Sequence, residues 1–135
     1  IVTVNNKQLP YAPPHGTVIG LSKKLFRNKL RVFIDYNYTA SVFTDIQNLT
    51  TEDVEGTAAQ GLGIAGKVPA WGIWNGGLLF KHKKITYSLS GKNLLDSIYI
   101  SSRLHSHPSR TAAGQSSGIL IGARRQVNLS VTYKF

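Results

Sequence analysis

The side chains able to do chemistry are few, and most of them fall in one stretch. His105 and His107 are separated by a single residue, so an extended backbone would point both imidazoles to the same side. Neutral imidazole suits nickel, copper or zinc, which makes the pair a candidate metal site. No carboxylate or cysteine lies close by in sequence to complete it, and two exposed loop histidines beside Pro108 are the plainer reading. Arg103 and Arg110 flank the pair. A guanidinium forks onto carboxylates, so these two arginines are candidate ligand-binding residues for an anion, with ordinary loop charge as the alternative. Asp96 lies near Lys92 and Tyr99 but has no second carboxylate and no Ser–His partner, so no acid–base or nucleophilic role is assigned to it. No catalytic residues are assigned, and an enzyme is not expected. Gly61, Gly63 and Gly66 imitate a phosphate-cradling run, but Pro69 and a strand follow them rather than a helix.

Composition narrows the setting. The chain has 135 residues, 16 Lys and Arg against 6 Asp and Glu, and a formal charge of +10. One domain is the expectation for this length. With no cysteine, disulfide scaffolds, thiolate metal sites and Cys nucleophiles are excluded. Ile1 comes first and methionine is absent, so a processed piece or fragment is expected. No apolar run approaches the roughly 20 residues of a spanning helix. Charge is unevenly placed. Glu52, Asp53 and Glu55 sit together, while bases gather between Lys23 and Arg31 and again between Lys81 and Lys84. Such clusters raise nucleic acid or an anionic membrane as partner, or are solvated turn charge.

The elements that must position these residues are strands. Val127, Leu129, Val131, Tyr133 and Phe135 alternate with Asn128, Ser130, Thr132 and Lys134. Val32, Ile34, Tyr36, Tyr38, Ala40 and Val42 alternate in the same way, although Phe33 and Phe43 interrupt the polar face. Ile85, Tyr87 and Leu89 form a third set, with weaker alternation around Trp74–Phe80 and Thr17–Lys23. Period-two alternation predicts five strands, at 15–26, 30–45, 70–82, 85–102 and 119–135. Residues 26–29 and 83–84 are read as tight basic turns, and 46–68 and 103–118 as long loops on the opposite side. Soluble strands usually run about five or six residues. Membrane-spanning barrel strands need about 9–11. Long strands with one apolar and one small polar face, and loops alternating short and long, fit an antiparallel transmembrane β-barrel. Val127, Leu129, Val131 and Tyr133 then face lipid, and Asn128, Ser130 and Thr132 the lumen. Five strands cannot close such a barrel, because an open edge in hydrocarbon strands unpaired peptide groups. Further strands are therefore expected beyond this chain.

Several segments look familiar in combination. Gly66-Lys67-Val68-Pro69-Ala70-Trp71-Gly72-Ile73-Trp74-Asn75 resembles a strand motif of TonB-dependent outer-membrane receptors. Lys92-Asn93-Leu94-Leu95-Asp96-Ser97-Ile98-Tyr99 is similar to their Asn-Leu-x-Asp-x-x-Tyr motif. Gly122-Ala123-Arg124-Arg125-Gln126-Val127 resembles the opening of their last strand, although Arg124 replaces the usual Pro. Phe135 matches their terminal Phe. Leu9-Pro10-Tyr11-Ala12-Pro13-Pro14-His15 and Val42-Phe43-Thr44-Asp45 resemble earlier segments, most like those of ferric dicitrate receptors.

The resemblance spans nearly the whole chain in family order. It implies that residues 1–135 are about the last five strands of a barrel of about 22 strands with a plugged lumen, the plug and earlier strands being absent. It also implies a Gram-negative outer membrane and active uptake of a ferric chelate, ferric dicitrate or a siderophore, as transported ligand rather than covalently bound cofactor. The implied partners are the TonB energy-coupling complex, acting through the missing plug region, outer-membrane lipid and lipopolysaccharide, and the anionic chelate, with no nucleic acid. Arg103 and Arg110 become candidates for contact with that chelate or with lipopolysaccharide phosphates. A nickel-transporting relative would give His105 and His107 a metal role. The resemblance places Asp96 in a turn or inter-strand contact near the rim, and Arg125 in a structural one. Uptake of another metal complex, and a soluble basic β-domain that binds nucleic acid through 23–31 and 81–84, are the alternatives.

Overall fold

The computed structural model describes residues 6–44, 48, 67–104 and 118–135. All regular elements among the described residues are strands: β1 (Gly16–Leu25), β2 (Leu30–Thr39), β3 (Val42–Phe43), β4 (Lys67–Val68), β5 (Trp71–His82), β6 (Ile85–Lys92), β7 (Ile100–Leu104), β8 (Gly118–Ile121) and β9 (Gln126–Tyr133). The chain passes back and forth between two compact units.

One unit is a five-stranded sheet in the order β1-β2-β5-β6-β9. β5 pairs antiparallel with β6, and β6 with β9. β5 reaches 12 residues and β1 and β2 reach 10 each, about twice an ordinary soluble strand. Both tight turns occur where basic residues predicted them. At 26–29 the Lys29 N–H donates to the Phe26 carbonyl, and the central residues Arg27 and Asn28 both take positive φ. That conformation matches the right-handed twist of a hairpin. The Lys81 N–H donates to the Lys29 carbonyl at 2.7 Å, and the Lys134 N–H to the Lys84 carbonyl at 2.8 Å. These bonds bring both turns and the residues after β9 to one edge of the sheet.

The other unit holds two short ladders. β3 pairs with β4, and β7 with β8, both antiparallel. β4 lies beside β7. The buried hydrophobic residues among the described ones are Ala40, Val42 and Val68, all in this unit.

Three of the five expected runs, 30–45, 85–102 and 119–135, are interrupted. The Ala40 N–H donates to the His15 carbonyl at 3.1 Å, beyond the ends of β1 and β2, and residues 40–41 separate β2 from β3. Pro69, which has no N–H, separates β4 from β5. Asn93 and Asp96 take positive φ and end β6 well before residue 102. Gly122 extends the β7–β8 pairing, its N–H donating to the Tyr99 carbonyl at 2.8 Å, and residues 122–125 separate β8 from β9. The two long loops are shorter at their ends than expected, because Lys67–Val68, Arg103–Leu104 and Gly118 are strand. Residues 49–66 and 105–117 lie outside the described residues.

Candidate functional site

The sheet register assembles two chemically opposite faces. Phe80 sits across from Tyr87 and Tyr87 from Val131; Leu78 from Leu89 and Leu89 from Leu129; Gly76 from Gly91 and Gly91 from Val127. The other parity carries Ser88 against Ser130, Ser90 against Asn128, and Thr86 against Thr132. The apolar rows are uncovered: Leu129 is 74% exposed and Val127 64%. β9 is exposed at every residue from Gln126 to Tyr133, on both faces. A monomer in water rarely leaves a contiguous apolar band of this kind open. Gly76 and Gly91 leave a shallow trough in it, which Leu94 enters; a Cβ on Gly91 would lie 2.5 Å from a Leu94 methyl.

On the polar face, amides form a row. Asn37 and Asn75 both donate to Asp35 Oδ1, the latter at 2.8 Å, and Asn75 Oδ1 accepts the Asn93 N–H at 3.1 Å. Asn93 is buried, and its side chain locks the connection after β6. Its Nδ2 donates to the carbonyls of Ser97 (2.8 Å) and Ala123 (3.0 Å), while Oδ1 accepts the Ser97 N–H at 2.9 Å. Asn and Asp are the non-glycine residues that best tolerate positive φ, which fits both Asn93 and Asp96.

Asp96 is the second lock. Arg124 grips its carboxylate with a bidentate pair, Nε to Oδ1 at 2.9 Å and NH2 to Oδ2, and the Arg125 N–H donates to Oδ1 at 2.9 Å. The Arg124 guanidinium foremost, then the Arg125 N–H, holds this carboxyl well below the usual carboxylate range. The residue lies in the connection between β6 and β7, outside the strands of the sheet. Arg125 reaches back to the Leu94 carbonyl at 3.4 Å, joining the segment before β9 to the connection after β6. The bulk of Arg124 where a proline was expected is explained by this pair.

The sequence-predicted ligand residues fare unevenly. Arg103 lies in β7 rather than in a loop, opposite Ile119, and is buried; its carbonyl accepts the Tyr11 hydroxyl at 2.7 Å. Arg110, His105 and His107 lie outside the described residues. Among the described residues no three His, Cys, Asp or Glu side chains gather as metal ligands. The Asp35–Asn75–Asn93 row escaped sequence reasoning, although Asn75 and Asn93 both stand inside the motifs quoted above.

No family model and no curated protein matches the chain. Solved structures do. It is similar to the ferric citrate transporter FecA in its unliganded form, with a TM-score of 0.72 and 19% identity over 95% of this chain and 17% of that one. It is similar to the siderophore receptor PiuA from Acinetobacter baumannii, with a TM-score of 0.71 and 18% identity over 98% of this chain and 15% of that one. A third similarity, at a TM-score of 0.65 and 13% identity, is to the ferric yersiniabactin uptake receptor FyuA from Yersinia pestis, over 98% of this chain and 18% of that one. The chain thus spans less than a fifth of the length of each. At these identities the likeness establishes the fold: this is an antiparallel all-β chain built like a portion of the barrel of such receptors.

Proposed function

We propose that this chain is part of the barrel of an outer-membrane receptor that takes up a ferric chelate with energy delivered through TonB. The observation that carries the reading is the uncovered apolar band of Phe80, Leu78, Tyr87, Leu89, Leu129 and Val127, backed by a face of serine, threonine and asparagine. Hydrocarbon on one side and a wet interior on the other is the environment that stabilises both faces at once. The soluble nucleic-acid-binding alternative needs a core, and the sheet has none of the buried hydrophobic residues. The three similar structures bind or transport iron chelates by name, which favours that cargo over a bare metal or a passive pore. No covalently bound cofactor takes part.

Within that reading the cargo is an anionic ferric chelate such as dicitrate. Arg103, in β7, and Arg110, in the sequence between β7 and β8, supply the positive field that concentrates it, an effect that salt weakens. The test measures uptake of labelled ferric dicitrate, and binding of dicitrate and nickel, by the full-length protein in cells with and without TonB. Wild type, Arg103→Ala/Arg110→Ala and His105→Ala/His107→Ala are compared. TonB-dependent dicitrate uptake that falls only in the arginine variant is expected. TonB-independent uptake overturns the receptor reading. Unchanged dicitrate affinity in the arginine variant, with nickel binding lost in the histidine variant, transfers the site to the histidines.

A further inference from the structure

The short-turn edge of the sheet carries an excess of positive charge that uptake does not explain. The first hairpin contributes Lys23, Lys24, Arg27, Lys29 and Arg31. The second hairpin and the residues after β9 add Lys81, Lys83, Lys84 and Lys134, so this edge holds nine of the chain's 16 bases. The Lys29–Lys81 and Lys84–Lys134 backbone bonds set these groups side by side along it. The acids among the described residues, Asp35 and Asp96, are committed elsewhere, to the Asn37–Asn75 amides and to Arg124. Four of the lysines line a recess of about 420 Å³ with Thr86 and Phe135.

Aromatic rings stand beside this charge on the apolar face. Phe80 is stacked 6.4 Å from Tyr87 and from His82. Tyr133 meets Phe135 edge-on at 5.2 Å. Phe26, in the first turn, is 72% exposed. Rings of this kind settle at headgroup depth, with apolar bodies in the acyl region and polar edges in water. Bases at the same depth meet lipid phosphates, not acyl chains, and long lysine stems carry the ammonium out to them.

We infer that this edge is a binding surface for anionic phospholipid headgroups, with the turn residues Arg27, Lys29, Lys83 and Lys84 contacting phosphate above the Phe80–Tyr87–Tyr133 belt. The inference rests on the proposed lipid-facing role of the apolar band and adds a lipid preference and a location to it. One base at an anionic surface is worth about a five-fold gain in association.

The test uses the full-length protein reconstituted in bilayers of equimolar phosphatidylglycerol and phosphatidylcholine, with the two lipids retained by the protein counted by mass spectrometry. Phosphatidylglycerol should be enriched about five-fold or more. Enrichment should vanish in Arg27→Gln/Lys29→Gln/Lys83→Gln/Lys84→Gln and persist in Lys92→Gln at the far end of β6. Salt at about 1 M, where screening acts within about 3 Å, should abolish it in the wild type, which decides the matter even if the quadruple variant does not fold. A bilayer-inserted wild type without enrichment overturns the inference and leaves the membrane reading intact. So does enrichment lost only in Lys81→Gln/Lys134→Gln, whose alternation places them on the polar face. A protein that does not enter bilayers overturns both.

Discussion

Asn93 shows how one residue can end a strand and join three segments. Its amide satisfies the Ser97 N–H and two carbonyls, and its backbone occupies the left-handed region. Asn93→Ala removes the partner of three part-buried polar groups and places a less tolerant residue at positive φ, so a loss of about 1–3 kcal/mol is expected. Asn93→Asp should not rescue it, because both Nδ2 donors become acceptors facing carbonyls. Denaturant unfolding of the full-length protein in lipid checks this, and a loss under about 0.5 kcal/mol would remove Asn93 from the role assigned here. Asp96 makes a pH prediction with a definite sign. Its carboxyl is depressed in the folded state, so the Arg124 contact contributes above the ordinary carboxylate pKa of about 3.9 and fades as pH falls through the lower folded value. The stability difference between wild type and Asp96→Asn should be level from about pH 5 to 8 and shrink below about pH 4; a difference that shrinks near pH 7 would assign the effect to another group. These locks were only partly legible. Asn and Asp inside an alternating run do hint at positive φ. Arg103 gave no such hint, because its burial accompanies a bond to Tyr11, 92 positions away in sequence.

Strands were legible where alternation was strict, and their ends were not. The five sheet strands and both turns follow from period-two patterning, since one register serves one buried or lipid-facing side. The end of β6 depends on Asn93, whose bond to the Ala123 carbonyl, 30 positions away, no local pattern names. The two faces yield a paired test at the element scale. Leu129 and Ser130 are adjacent in β9, opposite Leu89 and Ser88. In the full-length protein in lipid, Leu129→Arg should cost roughly 2–4 kcal/mol, whereas Ser130→Arg on the wet face should cost far less. Equal losses would argue against the lipid and lumen assignment. Packing within the sheet supplies a second test. Gly77 lies opposite Ser90, and a Cβ there would collide with the Leu89 carbonyl oxygen and meet the Phe33 ring at 2.9 Å. Backbone must move to admit it, so Gly77→Ala should cost about 1–3 kcal/mol, and a neutral result would mean Phe33 does not lie over this strand.

At the scale of the whole molecule, the question is what replaces a core. Ordering a chain costs roughly 1–2 kcal/mol per residue in backbone entropy alone, and buried apolar surface must offset it. Among the described residues the buried hydrophobic ones are Ala40, Val42 and Val68, whereas Ile19, Leu21, Leu129, Val131 and Phe135 are all more than half exposed. Three small side chains supply only a few kcal/mol at about 25 cal/mol per Å². In the proposed barrel the offset comes from lipid that covers the apolar band and from strands that pair with the outer edges of β1 and β9. The chain expressed alone in aqueous buffer should therefore aggregate, enter solution only with detergent or urea, and show no cooperative thermal transition in buffer. Added nucleic acid should not rescue it, despite the +10 charge, because phosphate contacts neutralise bases without covering hydrocarbon faces. Sedimentation and circular dichroism in buffer, in buffer with DNA and in detergent make the comparison. A monodisperse species with a cooperative melt in plain buffer would overturn the membrane reading, because it would show that this sheet finds its cover within its own 135 residues.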